Sequence, residues 1–300
     1  MKKMLFIVNP KSGKGQIKNH LLEILDIFIK SDYDVQIYIT QQMLDAKKAV
    51  ITKGRDQDLI VCSGGDGTLN ETISGMMELR RLPRLGYIPA GSTNDFASSL
   101  SIPKQMIKAA KTAVDGVPYR IDIGIFCREL YFVYVAGFGL FTEVSYLTPQ
   151  EIKNVLGHQA YMLEGVKSLG SIKSYRMNID CEEIQLDGEF IFGMITNTIS
   201  VGGFKGLVNQ DVALNDGLFE VLLIRTPKKP AELSNIVSSM FLKEEPDEFV
   251  YKFKTSKLHI KAEDSIDWVL DGEFGGSHKE VIVENLAKHL EINRTLAKKP

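Results

Sequence analysis

The sequence predicts an α/β domain followed by an all-β domain, and three observations carry that reading. Over residues 1 to about 122, short apolar runs alternate with amphipathic helical stretches. This is the order of a doubly wound parallel sheet with helices on both faces. After Pro118 the texture changes to short β-rich runs with Gly and Asp turn signals between most of them, the pattern of an antiparallel sandwich. Three of the early apolar runs also end in polar, glycine-containing loops. A parallel sheet would bring such loops to one edge, outside the carboxyl ends of its strands, where ligands bind. The domains are therefore expected at 1–122 and 123–300, with the last residues able to return to the first domain.

Each element has its own justification. Leu5-Phe6-Ile7-Val8 reads as a buried strand ending at Asn9-Pro10-Lys11-Ser12-Gly13-Lys14-Gly15. Ile17, Leu21, Ile24, Leu25 and Phe28 then form a helical stripe. Residues 35–39 are a strand ending at Thr40, and Ala46, Ala49 and Val50 mark a second helix. Leu59-Ile60-Val61-Cys62 runs into Gly64-Gly65-Asp66-Gly67-Thr68-Leu69-Asn70-Glu71, and a helix follows with Leu69, Ile73, Met76 and Met77 on one face. Residues 85–88 end at Pro89-Ala90-Gly91-Ser92-Thr93-Asn94-Asp95. Pro103 opens a helix through Ile107, Ala110 and Val114, closed by Gly116. In the second domain, strands are expected at 131–135, 175–179, 190–196, 219–224, 257–260, 266–270 and 281–283. Helices are expected near 149–167 and 230–242.

Composition narrows the function. Net charge is −2, with 44% apolar and 25% charged residues, the profile of a soluble globular protein without a nucleic-acid surface. The three cysteines, Cys62, Cys127 and Cys181, are isolated, which fits a reducing cytoplasm and no metal-site spacing. The five histidines are scattered, which argues against zinc. The apolar start ends at Asn9-Pro10, too short for a signal segment. The longest apolar stretch, 130–141, is shorter than the ~20 residues that span a bilayer.

Strand, glycine turn and helix start present backbone N–H groups and a positive helix end to phosphate. The glycines allow positive φ and close approach of a ligand to the backbone. An acid such as Asp66 beside a polyanion makes electrostatic sense with Mg²⁺ between them. The bland alternative is an ordinary strand-to-helix turn. The first loop is not a Walker A loop: Val8 and Gly15 stand where that motif needs Gly and Ser or Thr.

Two further features stay open on the residues alone. Leu-Asp-Gly-Glu-Phe occurs at Leu186–Phe190 and again at Leu270–Phe274, and Asp-Gly between β-rich runs reads first as a hairpin turn in either copy. Asn215-Asp216-Gly217 reads as a plain turn or as a cation loop. The aromatics of 130–141 suit a core strand or an acyl channel. Lysines 153, 167 and 173 suit a solvated helix face or a contact with anionic head groups.

Taken with Asp122-Ile123-Gly124, the run from Ala213 to Leu218 and Asp271-Gly272-Glu273, these loops resemble the soluble bacterial diacylglycerol kinases and related lipid kinases over nearly the whole chain. Glu71 after Leu69-Asn70 separates them from NAD kinases and 6-phosphofructokinases, which share the Gly-Gly-Asp-Gly core and the N-terminal fold. Ser92-Thr93 departs from the family's more frequent Thr and small residue, but Ser92 keeps a hydroxyl. The resemblance implies ATP held between the α/β domain and the β-sandwich domain. Asn9, Pro10, Lys11, Ser12, Gly13, Thr40, Gly65, Asp66, Gly67, Thr68, Leu69, Asn70, Glu71 and Ser92 would line it. It further implies Glu273 as general base with Asp271 beside it, Mg²⁺ near Asp66, Asp95 and Asp122, and a structural Mg²⁺ at Asp216 with the carbonyls of Ala213 and Leu218. The implied activity is phosphorylation of membrane diacylglycerol to phosphatidic acid by a cytoplasmic enzyme that visits the inner face of the membrane. Rivals are another lipid hydroxyl (phosphatidylglycerol or a sphingoid base), NAD, or a non-catalytic nucleotide- or lipid-binding protein. Exposed sandwich edges could pair two copies as a homodimer.

Overall fold

The computed structural model describes residues 1–91, 94–139, 173–198, 200–201, 204–205, 212–229, 232, 236 and 248–295. The chain forms two compact units, Met1–Ile123 with Leu286–Pro300, and Gly124–Asn285.

In the first unit the strand–helix alternation is β1 (Lys2–Val8), α1 (Ile17–Lys30), β2 (Tyr33–Ile39), α2 (Asp45–Lys53), β3 (Leu59–Gly64), α3 (Asp66–Met76) and β4 (Arg84–Pro89). A short α4 (Asp95–Ser99), α5 (Met106–Asp115) and the start of β5 (Val117–Phe126) follow. The sheet is parallel, in the order β4-β3-β1-β2. A further strand segment from the end of the chain joins it, with Ile292 pairing in parallel with Leu85. Residues 4–8 and all of β3 are buried, as continuous apolar runs should be in a sheet covered on both faces. Phe28 of α1 meets Phe6 edge-on at 5.2 Å. The register does the positioning: Val8 pairs with Ile39 and with Ser63, and Ser63 with Ile88. The loops that follow β1, β2, β3 and β4 therefore leave the sheet at one level.

Two details differ from expectation. Pro103 does not open a helix, because Gln105 is extended (ψ 118°) and α5 begins at Met106. The loop after β4 contains a helical turn, α4, entered through Asn94 in the left-handed region (φ 52°).

The second unit holds the rest of β5, β6 (Leu130–Phe132), β7 (Val135–Gly139), β8 (Tyr175–Asp180), β9 (Gln185–Thr196), β10 (Ser200–Val201), β11 (Phe204–Lys205), β12 (Phe219–Arg225), β13 (Val250–Thr255), β14 (Lys257–Leu270) and the start of β15 (Glu273–Arg294). The long strands β9 and β14 each pair antiparallel with β8 along one half and with β7 along the other. β12 and β13 extend the sheet beyond β9, while β15, β5 and β6 extend it beyond β14. Phe132 of β6 nevertheless stacks on Phe219 of β12 at 5.4 Å. The sheet thus folds back on itself around one core that includes Phe126, Phe138, Phe190 and Trp268. A smaller cluster with Phe192 and Leu222 lies on the opposite face.

The runs expected at 257–260 and 266–270 are one strand, β14, because a bulge carries it across the polar residues between Lys261 and Ile266. The expected helix near 149–167 lies outside the described residues. Of the helix expected near 230–242, Glu232 and Ile236 are described and both are helical; the rest lies outside the described residues. No described helix is long and apolar enough to cross a membrane.

Candidate active site

At the level edge of the parallel sheet, three loops touch backbone to backbone. A side chain on Gly13, held at φ +56°, would place its Cβ 2.2 Å from Ala90 O, and one on Gly91 would sit 2.7 Å from Gly65 Cα. Only hydrogen at these positions lets the loops after β1, β3 and β4 close together. Side chains then tie them: Asn9 Nδ2 donates to Thr68 Oγ1 at 2.8 Å, and Asn9 Oδ1 accepts from Lys11 N at 3.0 Å. Gly65 caps α3 and no side chain occupies that cap, so the first turn of α3 keeps the positive end that suits a phosphate. The glycine cradle and the uncapped helix start fit a nucleotide's phosphates.

Two residues that the sequence reading left in the background organise this edge. Tyr87, buried in β4, donates its hydroxyl to Gly64 O at 3.2 Å and lies 3.5 Å from Asn94 Oδ1. Burial pushes the phenol well above its ordinary range, so it stays a donor. Asn94 accepts from Gly91 N at 2.9 Å and donates to Gly91 O at 2.8 Å. The signal for Asn94 was present: Asn three residues after a loop glycine tolerates positive φ and bonds its own turn. Nothing local to Tyr87 marks its role, since its partner lies in β3.

The other expected nucleotide residues fall into distinct groups. Pro10, Lys11, Ser12 and Gly13 form the first loop, and Ser12 Oγ lies 3.4 Å from the Cβ position of Gly65. Thr40 is buried, its backbone N–H donating to Val8 O at 3.0 Å. Gly67 and Asn70 lie in α3 with partly exposed surfaces. Leu69 turns its side chain into the core at 1% exposure. Glu71 accepts from Leu44 N at 2.8 Å and Ala46 N at 3.2 Å, so its carboxylate anchors the start of α2. Ser92 lies outside the described residues. Of the acids, Asp66 Oδ2 accepts from Asp95 N at 3.3 Å, whereas buried Asp122 accepts from Lys288 N at 2.6 Å. Among the described residues no three His, Cys, Asp or Glu side chains cluster as a metal cage. Asp66 and Asp95 still fit a Mg²⁺ that draws most of its oxygens from phosphates and water.

In the second unit, Asp271 and Gly272 are the two-residue turn between β14 and β15, with φ of 50° and 88°, both positive as a type I′ hairpin requires. Asp271 is 3% exposed. Its carboxylate accepts three backbone N–H groups, from Val133 at 2.7 Å and from Tyr134 and Val135 at 3.0 Å each. Glu273, the next residue but one, is exposed. Asp271 is thus a fixed post, and Glu273 is the carboxylate open to an incoming group. At the Asp216 loop, Oδ1 accepts from Leu218 N at 3.1 Å and Oδ2 faces Lys254 Nζ at 3.4 Å. The carboxylate expected to hold a structural Mg²⁺ already has a cation beside it. Cys62 is inert packing, its thiol pushed up to about 12 by burial.

Fold and site together define a class: an α/β unit with glycine loops converging at one sheet edge, joined in the chain to an antiparallel β unit carrying an anchored Asp-Gly-Glu turn. Comparison with known proteins gives the family. Residues 3–126 match the family model for the diacylglycerol kinase catalytic domain. The chain is 36% identical to a diacylglycerol kinase of Bacillus subtilis (strain 168) over 298 residues, covering 97% of this chain and 96% of that protein. It is 32% identical to a diacylglycerol kinase of Staphylococcus aureus (strain MRSA252) over 294 residues, covering 97% and 92%. A crystal structure from Bacillus anthracis str. Sterne bearing the diacylglycerol kinase name shares the fold, with a TM-score of 0.82 at 24% identity over 99% of this chain and 98% of its own. The chain belongs to the diacylglycerol kinase family and is a lipid kinase.

Proposed function

We propose that this lipid kinase transfers the γ-phosphoryl group of ATP to the free hydroxyl of diacylglycerol, giving phosphatidic acid and ADP. The observation that carries the nucleotide half is the glycine cradle, in which Gly13 and Gly91 leave no room for a side chain. The acceptor is read from the family, whose curated members carry the diacylglycerol kinase name. The first unit is read as a nucleotide-binding domain of the NAD kinase and 6-phosphofructokinase type, and the second as the lipid-substrate domain.

Phosphoryl transfer asks a protein for positioning and charge stabilisation. Backbone N–H groups of the loops after β1 and β3, with the start of α3, hold the phosphates; Asn9 and Thr68 keep these loops in register. Asp66 and Asp95 would hold Mg²⁺, which when bound neutralises charge on the transferring group. Glu273 accepts the proton of the lipid hydroxyl as its oxygen bonds to the γ-phosphorus and the bond to the bridging oxygen of ADP breaks. Asp271 positions Glu273 by fixing the turn and does not itself move a proton. Because diacylglycerol resides in bilayers, the enzyme works by transient contact at the inner face of the membrane.

The test is an assay with γ-labelled ATP, Mg²⁺ and mixed micelles offering diacylglycerol, phosphatidylglycerol, sphingosine and NAD in parallel. Label in phosphatidic acid, lost in Glu273→Gln, is expected. Label in a different acceptor would overturn the substrate, and unchanged turnover in Glu273→Gln would overturn the base.

A further inference from the structure

A charged cluster in the second unit stands on β12 and β13, strands other than the two that the Asp271 turn joins. Glu220 on β12 pairs across the strands with Lys254 on β13. The Glu220 side chain is only 5% exposed, and Lys254 Nζ stands 2.9 Å from its Oε1. The same ammonium lies 3.4 Å from Asp216 Oδ2. One lysine therefore serves two carboxylates, one of them buried, while the other Asp216 oxygen accepts from Leu218 N.

The ammonium is the cation beside a buried acid, and its loss would leave Glu220 buried without that charge partner. A divalent ion on Asp216 would have to sit beside that ammonium, 3.4 Å from Oδ2, against like-charge repulsion.

We propose that Lys254 is the resident cation of this corner, standing in for a divalent ion at Asp216 and Glu220. The loop 212–218 and the β12–β13 pair are then held without metal, and a divalent ion binds at Asp216 only once the lysine is gone. The inference rests on the cluster itself and not on the lipid-kinase reaction.

Thermal unfolding of the full chain without nucleotide tests it, in EDTA and in millimolar MgCl₂. The expected result is that wild type and Asp216→Asn respond to Mg²⁺ equally, so that metal bound elsewhere cancels. Lys254→Met should melt lower in EDTA and gain at least about 2 °C more from Mg²⁺ than wild type does. Lys254→Arg, which keeps the charge, should behave as wild type. A larger Mg²⁺ response in wild type than in Asp216→Asn would overturn the proposal, and so would Lys254→Met responding no more than wild type. If Lys254→Met does not fold, the double change Lys254→Met with Glu220→Gln removes the stranded buried acid and is read in the same way.

Discussion

The segments Leu186–Phe190 and Leu270–Phe274 have the same sequence, Leu-Asp-Gly-Glu-Phe, and opposite structures. The first runs straight through β9, paired with β8 from Asn178↔Asp187 to Tyr175↔Phe190. Leu186, Gly188 and Phe190 face in, while Asp187 and Glu189 face out. The second breaks at Asp271-Gly272, where both residues take positive φ, and Phe274 is 58% exposed where Phe190 is fully buried. Local propensity is therefore identical, and surroundings decide. After the first copy comes an unbroken buried run from Ile191 to Thr196, so a turn there would pull that run out of the core. After the second comes Gly275-Gly276, and the Asp271 carboxylate is captured by three N–H groups of residues 133–135. A turn signal becomes a turn when tertiary hydrogen bonds reward it and burial does not oppose it.

Paired substitutions can break this contrast. The largest difference is expected between the glutamates. Glu273→Gln should lower turnover on the order of 10²–10⁴-fold, the usual worth of a general base, with ATP binding retained by calorimetry. Glu189→Gln, whose amide oxygen can still accept the 3.3 Å bond from Ser174, should keep wild-type turnover; equal losses would sink the assignment of the base. The phenylalanines reverse the order. Phe190→Ala should destabilise by about 3–5 kcal/mol in urea unfolding, as a truncated core aromatic does, while Phe274→Ala should leave stability within about 0.5 kcal/mol. A stable Phe190→Ala would mean that burial does not hold the first copy in β9.

The aspartates come next. Asp271→Ala strands three backbone N–H groups, two of them in buried bonds, at about 1–3 kcal/mol for each left unsatisfied, less whatever water recovers. Asp187→Ala removes an ion pair with Arg176, both partners about half exposed, and should cost under about 1 kcal/mol. The smallest difference is between the glycines. Gly272→Ala must hold φ near 88°, a strain of roughly 1–2 kcal/mol. Gly188→Ala keeps ordinary strand backbone and meets only the far end of the long Arg225 side chain, at 3.1 Å, and should cost less. Stability curves in which Gly188→Ala is the weaker variant would contradict this account.

The contrast also explains what could be read ahead of the structure. The glycine loops were legible because φ sign and close approach are demands on single residues, the first met at Gly13 and the second at Gly13 and Gly91. The alternating strands and helices of the first unit were legible because each carries its own periodicity. The role of Tyr87 was not, because a buried tyrosine on a strand looks like packing until β3 brings Gly64 O to it. The anchoring role of Glu71 was hidden for the same reason, as its partners Leu44 and Ala46 belong to another helix. The strand β14 was divided in two because its bulge interrupts the alternation that marks a strand. The Asp216 loop read as a plain turn or a cation loop on its own residues, with Mg²⁺ implied by the family resemblance, and the lysine that stands beside it comes from β13.

The first unit contains residues from both ends of the described chain. Ile292 pairs with Leu85, Asn293 Nδ2 donates to Ala113 O at 2.6 Å, and Arg84 pairs with Glu291 at 2.8 Å. During synthesis the glycine loops therefore emerge early from the ribosome, but the sheet that levels them waits for a strand made more than 160 residues after the unit's first segment ends at Ile123. The unit begun before the other is completed after it. A nascent chain stalled after β4 but before residue 286 would expose the open flank of β4, so translation arrest there should yield ribosome-bound chains that capture chaperones until the later strand is released.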